Sequence, residues 1–132
     1  MRPDERALEI AAWLDRARLD LRAARIDLAA GPPLSGDAAF HCQQAVEKAL
    51  KALLTHHDHP FRKTHDIGEL AMACLEHEPA LEGLLRSAAP LTEYAWRFRY
   101  PGDVFEPDFD EVVAALDIAD RVVEAVVTLV NR

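Results

Sequence analysis

Apolar residues recur along the chain in steps of three and four. Ile10, Leu14, Ala17, Leu21, Ala24 and Leu28 hold one seam on a single face from residue 4 to residue 30, the pattern of a long bundle helix of about seven turns. Gly31-Pro32-Pro33 cannot continue that helix, and Ser35 or Asp37 is placed to cap the next one. So short a connection predicts that the first two helices are antiparallel neighbours. The second runs to His56 or Asp58, because Pro60 disfavours helical geometry in the residue before it.

That second helix carries two different faces. On a wheel, Cys42, Ala45, Val46, Ala49, Leu50 and Leu53 fall in one apolar arc, while His41, Gln44, Lys48 and Lys51 fall in a polar arc about 80° wide. The first arc needs a bundle to bury it. The second lines up an imidazole, an amide and two ammonium groups along one edge, which is more organisation than solubility requires.

Further on, Asp66-Ile67-Gly68-Glu69 has the spacing of a capping box and opens a shorter helix with Ile67, Leu70, Ala71, Cys74 and Leu75 inward. Pro79 ends that element and suits the first turn of the next, which presents Leu81, Leu84, Leu85, Ala88 and Leu91. Pro90 is expected to kink or split it before Thr92 to Arg99, and Tyr100-Pro101-Gly102-Asp103 reads as a turn. The last helix starts near Pro107 or Asp108, with Glu111 three residues after Asp108, and continues through Val112, Val113, Leu116, Ala119, Val123, Val126, Val127 and Val130. Ile118, Val122 and Leu129 lie outside its narrow seam, a surplus of apolar surface that points to burial against a second copy and hence to a homodimer.

Composition narrows the class. The chain has 132 residues, half of them hydrophobic and only 7% aromatic, with Ala and Leu dominant, which favours an all-α domain with one core over residues 1–132. A net charge of −8 argues against indiscriminate attraction to a phosphate backbone and leaves room only for a local basic edge. Arg18, Arg22 and Arg25 form a row beside the first seam and read as a solvated flank. Cys42 and Cys74 sit in apolar helical patterns, which suits two reduced, buried thiols and a cytoplasmic protein. No stretch approaches the ~18 to 20 uninterrupted apolar residues of a membrane span, and the charged start from Met1 to Arg6 is not followed by a signal-peptide core.

Three segments in order carry a family resemblance: Phe40-His41-Cys42-Gln43-Gln44-Ala45-Val46-Glu47-Lys48-Ala49-Leu50-Lys51-Ala52-Leu53-Leu54, then Thr64-His65-Asp66-Ile67-Gly68-Glu69-Leu70, then Arg99-Tyr100-Pro101. Over roughly residues 8 to 128 the chain resembles the HEPN domain family, of the type associated with minimal nucleotidyltransferases. The resemblance implies an up-and-down bundle of four to five helices that commonly dimerises, is often encoded beside or fused to a minimal nucleotidyltransferase, and has been proposed to bind nucleotides. It also implies a role in a toxin–antitoxin-like or defence pair, since many members are metal-independent ribonucleases of such systems. Those nucleases carry an arginine, four to six intervening residues and then a histidine. This chain departs from that pattern: Arg62 and His65 have only two residues between them, and no histidine follows Arg97 or Arg99. Cleavage of RNA through its 2′-hydroxyl needs a base and a cation for the charged phosphorane, and the spacing brings no such pair together. The expectation is therefore a nucleotide- or RNA-binding component, with a divergent ribonuclease or a plain protein-interaction module as the alternatives.

For phosphate, Lys48 and Lys51 offer point charges, His41 and Gln44 hydrogen-bonding groups, and Arg97 and Arg99 bidentate contacts, with Tyr100 or Trp96 as a stacking surface. Against this stand plainer roles: Lys51 paired with Glu47 one turn earlier, Gln44 bonded within the bundle, and Arg99-Tyr100-Pro101 as a structural corner. His56, His57, Asp58, His59 and His65 invite a metal, but their spacing matches no closed site and Pro60 prevents one helix from presenting them, so no metal ligand and no cofactor is assigned. His65 is expected to bond Asp66 or a backbone carbonyl at the start of the following helix. No phosphate-cradling glycine loop is present, so any nucleotidyl transfer would come from a partner protein.

Overall fold

The computed structural model describes residues 1–98, 101–102 and 106–132. Among these residues five α-helices follow one another: α1 (Pro3–Ala29), α2 (Ser35–His56), α3 (Ile67–Leu75), α4 (Glu82–Ala88) and α5 (Phe109–Val130), with 3₁₀ turns at Pro79–Leu81 and Ala89–Ala95. Among the described residues there is no strand. The all-α expectation holds, and every helix foreseen from the spacing is present except one. After Pro90 the chain winds as a 3₁₀ segment to Ala95 rather than as an α-helix, and Arg99, where that helix was expected to end, lies outside the described residues.

α2 is the axis of the bundle. It packs most extensively on α1, then on α5, α3 and the second 3₁₀ segment. Sixteen of its 22 residues are buried, so it has no face given over to solvent. Alanines 38, 39, 45, 49 and 52 are all fully buried and let neighbouring helices approach closely, while Leu50, Leu53 and Leu54 fill the space between them. The antiparallel pairing with α1 is written in the ion pairs, since Arg6 meets Asp58 at 3.5 Å and Asp20 meets Lys48 at 2.6 Å. One hydrophobic cluster takes residues from all five helices.

Helix starts differ from expectation in an informative way. Ser35 and Asp37 both lie inside α2, whose N-cap position is Leu34, with no side-chain cap of its own. The donor is satisfied from far along the chain instead: Gly36 N–H donates to Glu106 Oε2 at 2.6 Å, placing a carboxylate at the positive end of the helix. Asp66 does cap α3, accepting from Glu69 N–H at 3.2 Å, but the return half of the capping box is missing because Glu69 turns to Arg62 at 2.7 Å. Likewise Glu111 leaves the start of α5 and accepts from the Tyr94 hydroxyl at 2.6 Å.

Gly36 is glycine for a steric reason. A Cβ there would lie 2.9 Å from Glu106 Oε2 and 3.3 Å from Phe98 Cβ. Gly36→Ala is expected to push the Glu106 carboxylate off the helix end and to cost about 1–2 kcal/mol, the usual worth of a lost cap. Thermal denaturation of Gly36→Ala beside Glu106→Ala checks this: if the cap is the main loss, the double variant should be little worse than either single one.

The surplus apolar surface lies elsewhere than expected. Val122 and Leu129 are buried in the chain's own core, and Ile118 packs against it half-buried, so α5 does not present the outer stripe that the spacing suggested. α1 does: Leu8, Leu19 and Ile26 are each exposed by more than half. They are 11 and 7 residues apart, close to whole numbers of helical turns, and so form one line along its outer surface.

Candidate functional site

The polar arc of α2 folds into two networks, each centred on a buried carboxylate. In the first, Asp20 of α1 reaches across and holds both His41 and Lys48: His41 Nδ1 lies 2.8 Å from Asp20 Oδ1, and Lys48 Nζ donates to Asp20 Oδ2 at 2.6 Å. Nδ1 is thereby engaged by Asp20, and the second ring nitrogen, Nε2, faces Asp37. Asp37 Oδ2 lies 3.4 Å from that nitrogen. Asp27, near the end of α1, completes a cluster in which one ligand atom each of Asp27, Asp37 and His41 lies within 4.8 Å of the others. Burial, reinforced by the adjacent Asp37 carboxyl, pushes the Asp27 carboxyl up to about 6.

The second network is centred on Glu47. It accepts from Lys51 Nζ at 3.0 Å and from Gln43 Nε2 at 3.2 Å, and His65 Nδ1 approaches it at 2.7 Å. Gln43 also donates to the His65 carbonyl at 3.1 Å, and Gln44 donates to Gln43 Oε1 at 2.7 Å. The His65 ring therefore bonds neither Asp66 nor a carbonyl, contrary to the expectation from its sequence position. It closes the loop after α2 back onto the helix. Lys51 and Glu47 are themselves buried, at 9% and 5% side-chain exposure, so this pair belongs to the interior.

Lys51 has a second environment. Its Nζ stands 5.4 Å from the centroid of the Trp13 ring and 6.0 Å from that of Phe61, within cation–π range of both. Trp13 and Phe61 meet edge to face at 6.3 Å. They form part of the wall of an open groove of about 660 Å³, along with Thr55, His59 and Lys63, and with Glu9 and Asp58. Trp13 Nε1 is buried and has no acceptor among the described residues.

Of the seven candidate residues, the fold brings His41 and Lys48 together on Asp20, links Gln44 through Gln43 to the Glu47 network, and puts Lys51 at the aromatic groove. Arg97 is not part of this edge: its guanidinium pairs with Glu93 and lies 4.8 Å from the Phe98 ring centroid. Arg99 and Tyr100 lie outside the described residues, and Trp96 is half-exposed beyond the 3₁₀ segment. Phe98, in the left-handed region at φ 68°, comes against Gly36 at the start of α2. Both cysteines are free and buried, and burial raises each thiol to about 12, so neither is a nucleophile. Reading the sequence by faces missed Asp20, Trp13 and Phe61. Trp13, one position from the apolar seam residue Leu14, was the available signal.

The family model for the HEPN domain matches residues 10–129. The chain belongs to the HEPN domain family. A crystal structure of an archaeal HEPN homologue superposes with a TM-score of 0.71 at 26% identity, covering 92% of this chain and 97% of that one. No curated protein sequence matches significantly. The helical bundle built around α2 is thus a HEPN fold, and no helix among the described residues is long and apolar enough to cross a membrane.

Proposed function

We propose that this HEPN protein is a nucleotide- or RNA-binding component that acts beside a minimal nucleotidyltransferase in a toxin–antitoxin-like or defence pair. The observation that supports it is the groove at Lys51, where two aromatic rings offer stacking surfaces and Lys63 an exposed ammonium for phosphate. The Lys51 charge is already taken up by Glu47, so its role is to hold the aromatic wall while Lys63 meets the ligand. Lys48 and His41, neutralised by Asp20, organise the interior edge. The exposed stripe of Leu8, Leu19 and Ile26 on α1 is the surface we assign to a homodimer.

A second reading has its own observation. His41 is held between Asp20 at Nδ1 and Asp37 at Nε2, and Asp27, its carboxyl raised to about 6, stands in the same cluster, so an imidazole and a carboxyl able to exchange protons stand together. That is the chemistry of metal-independent RNA cleavage, lacking an unpaired cation among the described residues of the cluster.

One titration separates the two. Adding ATP or a short RNA in EDTA is expected to shift the NMR signals of the Trp13 indole and the Phe61 ring, with Lys63→Glu weakening binding about 5- to 10-fold and leaving the RNA intact. Unchanged Trp13 and Phe61 signals would remove the groove reading. RNA shortened by the wild type and untouched by His41→Ala would put the ribonuclease reading in its place.

A further inference from the structure

The loop after α2 and the residues that follow α3 bring histidines together outside the two carboxylate-centred networks. His59 Nδ1 lies 2.9 Å from His77 Nε2, and Glu76 Oε2 lies 3.7 Å from the same His59 nitrogen. Ligand atoms of all three residues fall within 4.8 Å of one another. Around a tetrahedral zinc at ~2.0–2.1 Å from each ligand, neighbouring ligand atoms sit about 3.3 Å apart. The two separations fall on either side of that value, so adjustments of a few tenths of an ångström would seat an ion between them.

The backbone that carries these groups is pinned. His59 N–H donates to the Leu54 carbonyl at 2.9 Å, directly after Asp58 in the left-handed region at φ 54°. On the other side, His77 N–H and Glu78 N–H both donate to the Cys74 carbonyl, at 3.0 and 2.9 Å. A third imidazole orients the pair: His57 stacks on His77 with ring centroids 4.4 Å apart and planes 7° from parallel, and His57 Nε2 lies 3.3 Å from Glu78 Oε1. The stacked His57 ring, itself beside the Glu78 carboxylate, packs against the face of the His77 ring.

We propose that His59, His77 and Glu76 form a binding site for a divalent transition-metal ion of the zinc type, open to solvent at its fourth position. Two imidazoles and one carboxylate match the ligand preference of zinc and nickel rather than that of magnesium or calcium. Glu76 is well exposed, which gives the ion a way in. Bound there, the ion ties the α2–α3 connection to the end of α3, a structural clip at the edge of the groove that His59 also lines.

The test is isothermal titration of the untagged protein with Zn²⁺ at pH 7.5, with Co²⁺ absorption as a check on coordination. One equivalent is expected to bind. His59→Ala and His77→Ala should each weaken binding at least 100-fold and Glu76→Gln about 10-fold, and added Zn²⁺ should raise the melting temperature of the wild type but not of the two histidine variants. His41→Ala serves as the control for the other His–carboxylate cluster and should bind as the wild type does. Absence of zinc binding by the wild type overturns the proposal, and so does binding that survives both histidine substitutions or disappears in His41→Ala.

Discussion

Replacing Glu47 by alanine is expected to be among the most damaging single changes in the protein, at about 3–5 kcal/mol. The carboxylate is the shared acceptor of Lys51, Gln43 and His65, and its removal leaves a buried ammonium without a counter-charge. The cation–π contacts with Trp13 and Phe61 remain, each worth about 2 kcal/mol when desolvated, which offsets only part of the loss of the counter-charge. Removing both charges should hurt less than removing one, because the penalty is for the uncompensated ion. The double variant Glu47→Leu/Lys51→Met is therefore expected to recover part of the loss. Denaturant unfolding of the three proteins measures this, and a Glu47→Ala variant within about 1 kcal/mol of wild type would show that water reaches Lys51 freely. The His65 loop should loosen in step with the loss, since its ring and its carbonyl both lean on this network.

The same pair shows what the sequence could and could not reveal. Glu47 and Lys51 stand four apart, so their pairing was legible, and the apolar seams of α1, α2 and α3 located the core residues. Position on a wheel, however, reports direction and not surroundings. His41, Gln44, Lys48 and Lys51 share an arc of α2 and look like a solvent-facing edge, yet α1 covers that arc and supplies Asp20, 28 residues before Lys48. A carboxylate arriving from a neighbouring helix leaves no local signature. The cap on α2 is a similar case, because Glu106 comes from 70 residues away and two nearer candidates stay inside the helix. The 3₁₀ segment after Pro90 was half-visible, since a proline announces a break in the α-helix without fixing the conformation of the residues beyond it. The aromatic groove was missed because Trp13 and Phe61 lie on opposite sides of α2 in sequence, and only the antiparallel pairing of α1 with α2 brings them together.

That pairing also creates the cluster whose behaviour with pH should be most distinctive. Asp27 is 8% exposed, and its carboxyl is pushed from 3.8 up to about 6 by burial, by Asp37 and against the opposing pull of His41. A folded-state value above the unfolded one means that the folded chain holds this proton more tightly. The resulting stabilisation is complete below about pH 4 and is lost as the pH rises from about 4 to about 6. A rise of that size corresponds to roughly 2–3 kcal/mol, which makes this the second-largest single effect expected. Asp27→Asn keeps the shape and the hydrogen-bonding capacity without the titration. Its stability relative to wild type should rise across that interval and level off above about pH 7. Denaturant unfolding of both proteins at pH 4.5, 6 and 7.5 gives the comparison, and the difference between the two curves cancels the carboxylates they share. Parallel curves would mean that Asp27 is ionised in the folded protein throughout. The acid partner needed for RNA cleavage beside His41 would then be missing, and the ribonuclease reading would fall.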